Sequence, residues 1–323
     1  MSEPIIRLEN LSKTFGRGKK AVAAVRGIDL DVAPGQVFGF LGPNGAGKST
    51  TIRILMDLVR PTGGKALLFG QDVQKHPELL RRVGALVEGA LLYEHLTGRR
   101  NLEVLARTAG HYSKDEINAV LDRVGMSDRA DRLVEGYSMG MKQRLGVAAA
   151  LLNKPELVIL DEPTNGLDPA GIHEMRHFIR QLVEEDGLTV FLSSHLLSEV
   201  EQVCDRVAII HGGKIVREGT VQELVASQPH MVVEVSDSER AIEALSETWS
   251  TQAIEIPETG SALRVAADRD AAPEIVRRLV AAEINVFGLQ KERRSLEDFF
   301  LELTTEKSTN DKSTNEGSEA ADA

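Results

Sequence analysis

The chain has 323 residues, of which 42% are hydrophobic and 27% are charged; this composition is typical of globular proteins, and the length predicts about two domains. Its 38 basic and 49 acidic residues give a net charge of −11, which argues against nucleic-acid binding through bulk charge because phosphates would be repelled. A single cysteine, Cys204, excludes an intramolecular disulfide, and no apolar run reaches the ~18 residues of a membrane span. We therefore expect a cytoplasmic protein with no membrane span of its own.

An α/β pattern extends over about residues 1–226. Apolar runs that predict strands buried on both faces of a largely parallel sheet lie at 37–41, 157–160, 189–192 and 207–210. The two glycines at 212–213 predict a hairpin after the last of these strands. Helical patterns dominate from about 78 to 155, so this stretch is predicted to be a helical insert between two strands of the core.

A second, smaller unit is predicted for residues 229–303, after a composition break at 227–229. Its pattern gives strands at 231–235, 253–256, 263–266 and 285–289 and helices at 238–246, 273–282 and 295–303. The order βαββαβ with a last helix predicts a ferredoxin-like α+β domain with an accessory role. Residues 304–323 are polar and repetitive, and they are expected to form a disordered tail because they bury too little apolar area to offset the ordering entropy.

A phosphate-binding loop is predicted directly after the first apolar run. The pattern G-x-x-x-x-G-K-[ST] is matched by Gly42, Pro43, Asn44, Gly45, Ala46, Gly47, Lys48, Ser49 and Thr50. The glycines let successive backbone N–H groups converge on phosphate oxygens, and the next helix directs its positive end to the same place. Lys48 is expected to neutralise the β and γ phosphates, and Ser49 to offer a hydroxyl to Mg²⁺. The loop therefore predicts a nucleoside-triphosphate site.

Two carboxylates follow the apolar run at 157–160. Asp161 is expected to hold Mg²⁺, directly or through water, and Glu162 to orient or deprotonate the attacking water as a general base. The structural alternative is a strand that merely ends in solvated acids. Because the same chain carries a phosphate loop, we interpret the pair as part of the nucleotide site.

With the run Pro-Thr-Asn-Gly-Leu-Asp-Pro at 163–169, the chain resembles the ATP-binding subunits of ABC transporters. The resemblance covers about residues 4–220. It implies a P-loop NTPase core with a mostly parallel sheet, a β-rich edge and a helical insert. It also implies that ATP and Mg²⁺ are bound and that two head-to-tail copies clamp two nucleotides between them.

The resemblance also assigns roles to single residues. Ser138 and Gly140 stand at the family's signature motif and Asp168 in its D-loop, which implies contact with ATP held by the opposite subunit. His195 matches the switch histidine that senses the γ-phosphate, and Phe15 the aromatic residue that stacks on adenine. The residue-level alternatives are structural: Ser138 as the N-cap of the following helix, His195 as a structural residue with satisfied hydrogen bonds, and Phe15 as an inward-packed side chain.

The chain departs from the family pattern at two places. Glu88 stands where the family usually has a glutamine that reaches the metal, and it is expected to be a metal contact or, alternatively, a solvated loop acid. Met139 and Met141 replace the glycine and glutamine of the signature, so only Ser138 and Gly140 carry the predicted role there. Together with the run Leu-Glu-Asp-Phe-Phe-Leu at 296–301, these departures resemble the branch that serves bacterial export of antibiotics and related peptides or lipids.

The sequence thus predicts a cytoplasmic ATPase that docks on the inner face of the membrane. Because the chain has no span of its own, the transport path is expected to come from a separate permease. The alternative is an ABC-type ATPase that acts on ribosomes or DNA. That alternative is disfavoured by the single phosphate loop and by the lack of sustained heptads, and a GTPase is disfavoured by the lack of an Asn-Lys-x-Asp run.

Overall fold

The computed structural model describes residues 3–87, 89, 91–110, 112–225, 230–256, 260–291 and 296. The chain divides into two units, Met1–Val221 and Gln222–Ala323. The composition break at 227–229 and the predicted tail at 304–323 lie outside the described residues, as does the predicted helix at 295–303 apart from Leu296. The domain bounds drawn from the sequence therefore stay a prediction.

The strands of the first unit are β1 (Ile6–Phe15), β2 (Val22–Val32), β3 (Val37–Leu41), β4 (Gly63–Leu68), β5 (Gln71–Asp72), β6 (Val83–Leu86), β7 (Leu157–Asp161), β8 (Thr189–Ser194), β9 (Arg206–His211) and β10 (Lys214–Thr220). The larger sheet has the order β10-β9-β3-β8-β7-β6, parallel from β9 to β6, with β10 antiparallel at one edge. Every residue of β3 and β7 is buried, as predicted for strands covered on both faces. The predicted hairpin joins β9 and β10.

The smaller sheet is antiparallel, with the order β2-β1-β4-β5. It is the β-rich edge that the resemblance implied. Ile6 and Leu8 of β1 belong to the same buried cluster as Phe38 of β3 and Phe191 of β8. The two phenylalanine rings stack with their centroids 5.9 Å apart, so the two sheets share one apolar core.

The helices of the first unit are α1 (Lys48–Leu55), α2 (Gly98–Thr108), α3 (Lys114–Arg123), α4 (Met139–Leu151), α5 (Pro169–Glu184) and α6 (Leu197–Val203), and α7 (Val221–Val225) spans the boundary between the units. The helical insert consists of α2, α3 and α4. Thr97, Ser113 and Ser138 are their N-caps, and each side-chain oxygen accepts a hydrogen bond from the backbone N–H three residues on. The caps explain where the three helices begin.

The insert begins later than the sequence indicated. Val83–Leu86 forms β6, which pairs in parallel with β7 in the core sheet, although the predicted insert starts near residue 78. The run Val-Gly-Ala-Leu is too short for a helical period, so its neighbours decide its structure. A Cβ at Gly84 would lie 1.9 Å from the carbonyl oxygen of Ala150, so glycine permits α4 to pack directly on this strand.

The second unit contains β11 (His230–Val235), α8 (Ser238–Leu245), β12 (Thr251–Ile256), β13 (Gly260–Ala266), α9 (Ala272–Ala281) and β14 (Val286–Lys291). The strands form an antiparallel sheet in the order β12-β13-β11-β14. Val233 of β11, Leu245 of α8 and Leu279 of α9 are fully buried in its core. This is the predicted βαββαβ arrangement of a ferredoxin-like fold.

Candidate active site

The loop between β3 and α1 is shaped by glycines whose backbone angles or close contacts disfavour a side chain. Gly47 is the N-cap of α1 with φ 113°, and Gly45 has φ 80°; both angles disfavour L-residues with a side chain. A Cβ at Gly42 would lie 2.2 Å from the carbonyl oxygen of Ile210, and one at Gly47 2.5 Å from that of Ala24. The loop is therefore tightly seated, and the N-terminal N–H groups of α1 lie beside it.

Lys48 lies at the base of this loop and is only 5% exposed. Its ammonium donates to the carbonyl oxygen of Gly42 at 2.7 Å and lies 3.2 Å from Oε1 of Glu162. A buried charge requires an opposite charge and hydrogen bonds, and Lys48 has both. The structure thus brings the phosphate loop and Glu162 together.

Glu162 holds a conformation that is rare for its residue type. Its φ is 52°, in the left-handed region that normally requires glycine or asparagine. One carboxylate oxygen contacts Lys48, and the other lies 2.7 Å from Nδ1 of His195. Since an ionised carboxylate only accepts hydrogen bonds, Nδ1 is the donor. The carboxylate is therefore held between two cationic or hydrogen-bond-donating groups.

Asp161 ends β7 and is only 5% exposed. Its Oδ1 accepts a hydrogen bond from the hydroxyl of Ser193 on the neighbouring strand β8. The same hydroxyl accepts a hydrogen bond of 3.1 Å from the backbone N–H of Glu162. Sequence reasoning gave Ser193 no role; the available signal was a hydroxyl at the end of a strand that neighbours the acidic one.

Glu162, His195 and most of the phosphate loop line one cavity of about 340 Å³. Its lining residues are Ala24, Pro43, Asn44, Gly45, Gly47, Lys48, Ser49, Thr50, Glu162, Asn165 and His195. Most of the predicted phosphate loop thus shares one space with the predicted base and the predicted switch histidine. Ala24 and Asn165 were missed by sequence reasoning, because a β2 residue and a loop residue reach the cavity only through the fold.

Four described residues of the predicted nucleotide site do not line this cavity: Phe15, Gly42, Ala46 and Asp161. Ala46 is buried in the core cluster, where its carbonyl oxygen accepts a hydrogen bond from the N–H of Gly213. Phe15 is 40% exposed at the end of β1, with Nζ of Lys13 at 4.9 Å from its ring centroid, so the inward-packed alternative is wrong. Glu88 lies outside the described residues.

The signature residues line a second cavity, of about 790 Å³. Ser138 caps α4 and Asp168 caps α5, accepting from the N–H groups of Met141 at 3.3 Å and Gly171 at 3.0 Å. Both also line this cavity, together with Gly140. The two cavities have no lining residue in common. Within one chain, the phosphate loop and the signature residues therefore line separate cavities.

The turn before the signature is anchored by Tyr137. Its hydroxyl donates to the carbonyl oxygen of Arg129 at 2.7 Å, and burial raises the pKa of the phenol above its usual value. Tyr137 therefore stays neutral at physiological pH and fixes the approach of the chain to Ser138.

A family profile described as "ABC transporter" matches residues 25–165. The chain is 40% identical over 301 residues to the bacitracin transport ATP-binding protein BcrA of Bacillus licheniformis, covering 93% of this chain and 97% of that protein. The chain belongs to the ABC transporter ATP-binding family. It is also 37% identical over 307 residues to the daunorubicin/doxorubicin resistance ATP-binding protein DrrA of Streptomyces peucetius, covering 92% of each chain.

A solved ABC structure agrees with the fold. The ATP-binding cassette MJ0796, described as a dimeric post-hydrolysis state bound to ADP and Pi, is 27% identical with a TM-score of 0.60 and covers 67% of this chain and 98% of that chain. As a member of this ABC family, the chain is an ATPase and an ATP-binding subunit that works with a membrane permease. Among the described residues, none of the helices has the length and apolar character needed to cross a bilayer.

Proposed function

We propose that this ABC ATPase drives export of an antibiotic, peptide or lipid-like compound through a separate permease at the inner face of the cell membrane. The names of the two relatives, which refer to bacitracin transport and to daunorubicin/doxorubicin resistance, support this choice of cargo class. Both matches extend over more than nine-tenths of each chain, so they include the second unit. They favour transport over an ATPase that acts on ribosomes or DNA.

The observation that carries the catalytic proposal is the position of Glu162. Its carboxylate shares a cavity with the phosphate loop and lies 3.2 Å from Lys48 and 2.7 Å from His195. A fixed carboxylate beside the γ-phosphate position acts as general base toward the attacking water. Lys48 and the loop N–H groups bind the phosphates, and His195 is the residue that registers loss of the γ-phosphate.

The donor set also fits Mg²⁺. The Ser49 hydroxyl and the Asp161 carboxylate are the hard oxygen ligands that this ion prefers beside nucleotide phosphates. These two residues would hold the ion, and Glu88 is a further predicted contact. When bound, Mg²⁺ neutralises charge on the β and γ phosphates.

A head-to-tail homodimer is proposed because the two halves of the site line separate cavities of one chain. The cavity with Ser138, Gly140 and Asp168 shares no lining residue with the phosphate-loop cavity. The N-terminus of α4 carries a partial positive charge and a small residue, so it can approach a phosphate closely. In the proposed dimer, these residues of one copy meet the γ-phosphate that the other copy holds.

An apolar groove supports the proposal of a permease partner. A cavity of about 440 Å³ lies between β6 and helices α2 and α4, with Leu86, Leu105, Ala106 and Ala149 in its lining. Leu91 on its rim is 88% exposed. Exposed apolar surface of this kind marks a protein interaction site, and we propose that a cytoplasmic segment of the permease covers it.

The catalytic proposal is tested with Glu162→Gln. This variant keeps the shape of the side chain but lacks the base, so ATP binding is retained while turnover falls by about 100-fold or more. Released phosphate measures turnover, and size-exclusion chromatography with Mg²⁺-ATP measures the dimer, which should accumulate. Glu283→Gln is the matched control, because Glu283 is also a glutamate with positive φ, 59°, but lies in the second unit.

Near-normal phosphate release from Glu162→Gln would remove Glu162 from the catalytic role. The transport proposal is tested separately by affinity capture. Recovery of a hydrophobic membrane protein from a detergent extract supports it, whereas recovery of the chain in the ribosome pellet supports the alternative.

A further inference from the structure

Ser193 lies next to both acidic residues of the site. It is opposite Asp161 in the parallel ladder between β7 and β8, and its side chain is fully buried. Its hydroxyl donates to Oδ1 of Asp161 and accepts from the backbone N–H of Glu162 at 3.1 Å. One hydroxyl thus contacts the two residues to which the chemistry is assigned.

The Asp161 carboxylate depends on its hydrogen bond from Ser193 because it is buried. A buried carboxylate needs hydrogen-bond donors, because it has lost those of water. Among the hydrogen bonds of the described residues, the one from Ser193 is the only one that reaches the Asp161 carboxylate. Without this donor, no hydrogen bond of the described residues fixes the rotation of the carboxylate about its side-chain bonds.

The contact with Glu162 fixes a strained segment. Left-handed backbone at a glutamate persists only where the surroundings hold it. The N–H of Glu162 is held from two directions, by the Ser193 hydroxyl at 3.1 Å and by the Ser193 carbonyl oxygen at 3.2 Å. The adjacent hydroxyl of Ser194 makes a different contact, because it accepts a hydrogen bond from the N–H of Leu196 at 3.0 Å.

We propose that Ser193 is a positioning residue for ATP hydrolysis. Its hydroxyl orients the Asp161 carboxylate and holds the backbone that places the Glu162 carboxylate between Lys48 and His195. This inference rests on the proposed roles of Asp161 and Glu162. Ser193 itself lies outside the lining of the nucleotide cavity, so it acts through its two neighbours. Small displacements of reacting groups cost large factors in rate.

The test uses Ser193→Ala in the full chain. Turnover is expected to fall about tenfold or more, which is the effect of losing one hydrogen bond to a charged group. The KM for ATP should change little, because the phosphate loop is intact. The second readout is binding of a fluorescent ATP analogue at increasing Mg²⁺ concentrations. The Mg²⁺ concentration at half-saturation is expected to rise several-fold as the Asp161 carboxylate loses its orientation.

Two further variants separate positioning from stability. Ser193→Thr keeps the hydroxyl and should therefore retain most of the parent turnover. If the added methyl group of threonine is not accommodated, Ser193→Cys, which keeps a weaker donor, is used in place of Ser193→Thr. Thr189→Val is the matched control. Thr189 lies on the same strand, is 1% exposed, and its hydroxyl accepts from the N–H of Gly35 at 2.9 Å, at the far end from the site.

The outcomes are distinct. A fall in turnover or a rise in half-saturating Mg²⁺ for Ser193→Ala, with Thr189→Val like the parent in both, supports the proposal. It is overturned if Ser193→Ala stays within about twofold of the parent in both, or if Thr189→Val shows the same loss. If the parent itself lacks turnover, the proposed function fails, whereas the Mg²⁺-dependent binding still tests Ser193.

Discussion

Glu162 combines a chemical requirement with an unfavourable backbone. Its carboxylate lies between Lys48 and His195, and this position is reached with φ 52° at a residue that bears a Cβ. The left-handed conformation costs an L-residue about 1–2 kcal/mol. The pattern of apolar residues followed by two acids predicted the role of Glu162 but not this angle, because the strain is imposed by β8 and not by the local sequence.

Comparing Glu162→Gly with Glu162→Ala isolates this strain. Both variants lack the carboxylate, so the difference between them reports on the backbone alone. Glycine is expected to be the more stable by about 0.5–1 kcal/mol, since relief of the left-handed strain exceeds the extra entropy that glycine loses on folding. Equilibrium denaturation of the two variants side by side measures the difference.

At the control position, the stability difference between the glycine and alanine variants is expected to have the opposite sign. At His177, an exposed position inside α5, glycine should be less stable than alanine by about 1 kcal/mol. If alanine were also the more stable residue at position 162, the strain would not be significant.

The junction of β6 and β7 is held by an ion pair that depends on pH. Arg82 donates to both carboxylate oxygens of Glu156, at 2.5 and 2.7 Å, and the N–H of Glu156 donates to the carbonyl oxygen of Arg82 at 2.9 Å. The hydrogen bond from Arg82 lowers the pKa of Glu156 below its ordinary value of 4.5. The contacts join the residues that directly precede the two strands.

Glu156→Gln tests the contribution of this pair. Because the folded-state pKa lies below the unfolded value, the stabilisation is present above pH 4.5 and is lost as the pH falls through the lowered pKa. The variant should be less stable than the parent at pH 7, by less than about 1 kcal/mol because the pair is half-exposed. The difference should vanish in acid; a difference that is constant with pH would contradict this origin.

Among the elements, those with a strong pattern were predicted and those that depend on a neighbour were not. The buried strands β3, β7, β8 and β9 were evident because both of their faces are covered and their sequences are almost wholly apolar. By contrast, β6 is four residues long and lies beside a helix that needs Gly84 for its approach. No local pattern expresses that requirement, so the sequence assigned β6 to the insert.

The molecule as a whole presents two halves of a proposed nucleotide site in separate cavities. A substitution at Gly140 can disable the signature half of the site without disturbing the fold. A Cβ at this position would have Leu167 as its nearest neighbour, at an ordinary van der Waals distance of 3.7 Å. Gly140→Asp should therefore fold, and its charge near the N-terminus of α4 is favourable for the helix. In the proposed dimer the same charge repels the γ-phosphate, so the variant should lose turnover.

Mixing two inactive variants tests the head-to-tail arrangement. In a mixed dimer of Gly140→Asp and Glu162→Gln, one site carries both changes and the other carries neither. Phosphate release should therefore recover to roughly a quarter of the parent rate, since half of the dimers are mixed and one of their two sites is intact. Each variant alone is the control, and a mixture that stays as inactive as its components would contradict the arrangement.

At the site, the sequence was most informative where one short segment makes the geometry. The phosphate loop is such a segment, since its glycines are required by left-handed angles and by close contacts with Ile210 and Ala24. Ser193 and Asn165 were not assigned roles because serine and asparagine are common and only the tertiary structure places them there. The contact of Glu162 with both Lys48 and His195 likewise joins three separate segments.

The caps of α4 and α5 have a consequence for the speed of association. Ser138 and Asp168 already accept backbone hydrogen bonds within their own chain, so the face that they share is preorganised before any second copy arrives. Ordering of flexible loops is a large part of the free energy lost when proteins associate. We therefore expect dimer closure to be governed by encounter and by nucleotide charge, with little local refolding at this face.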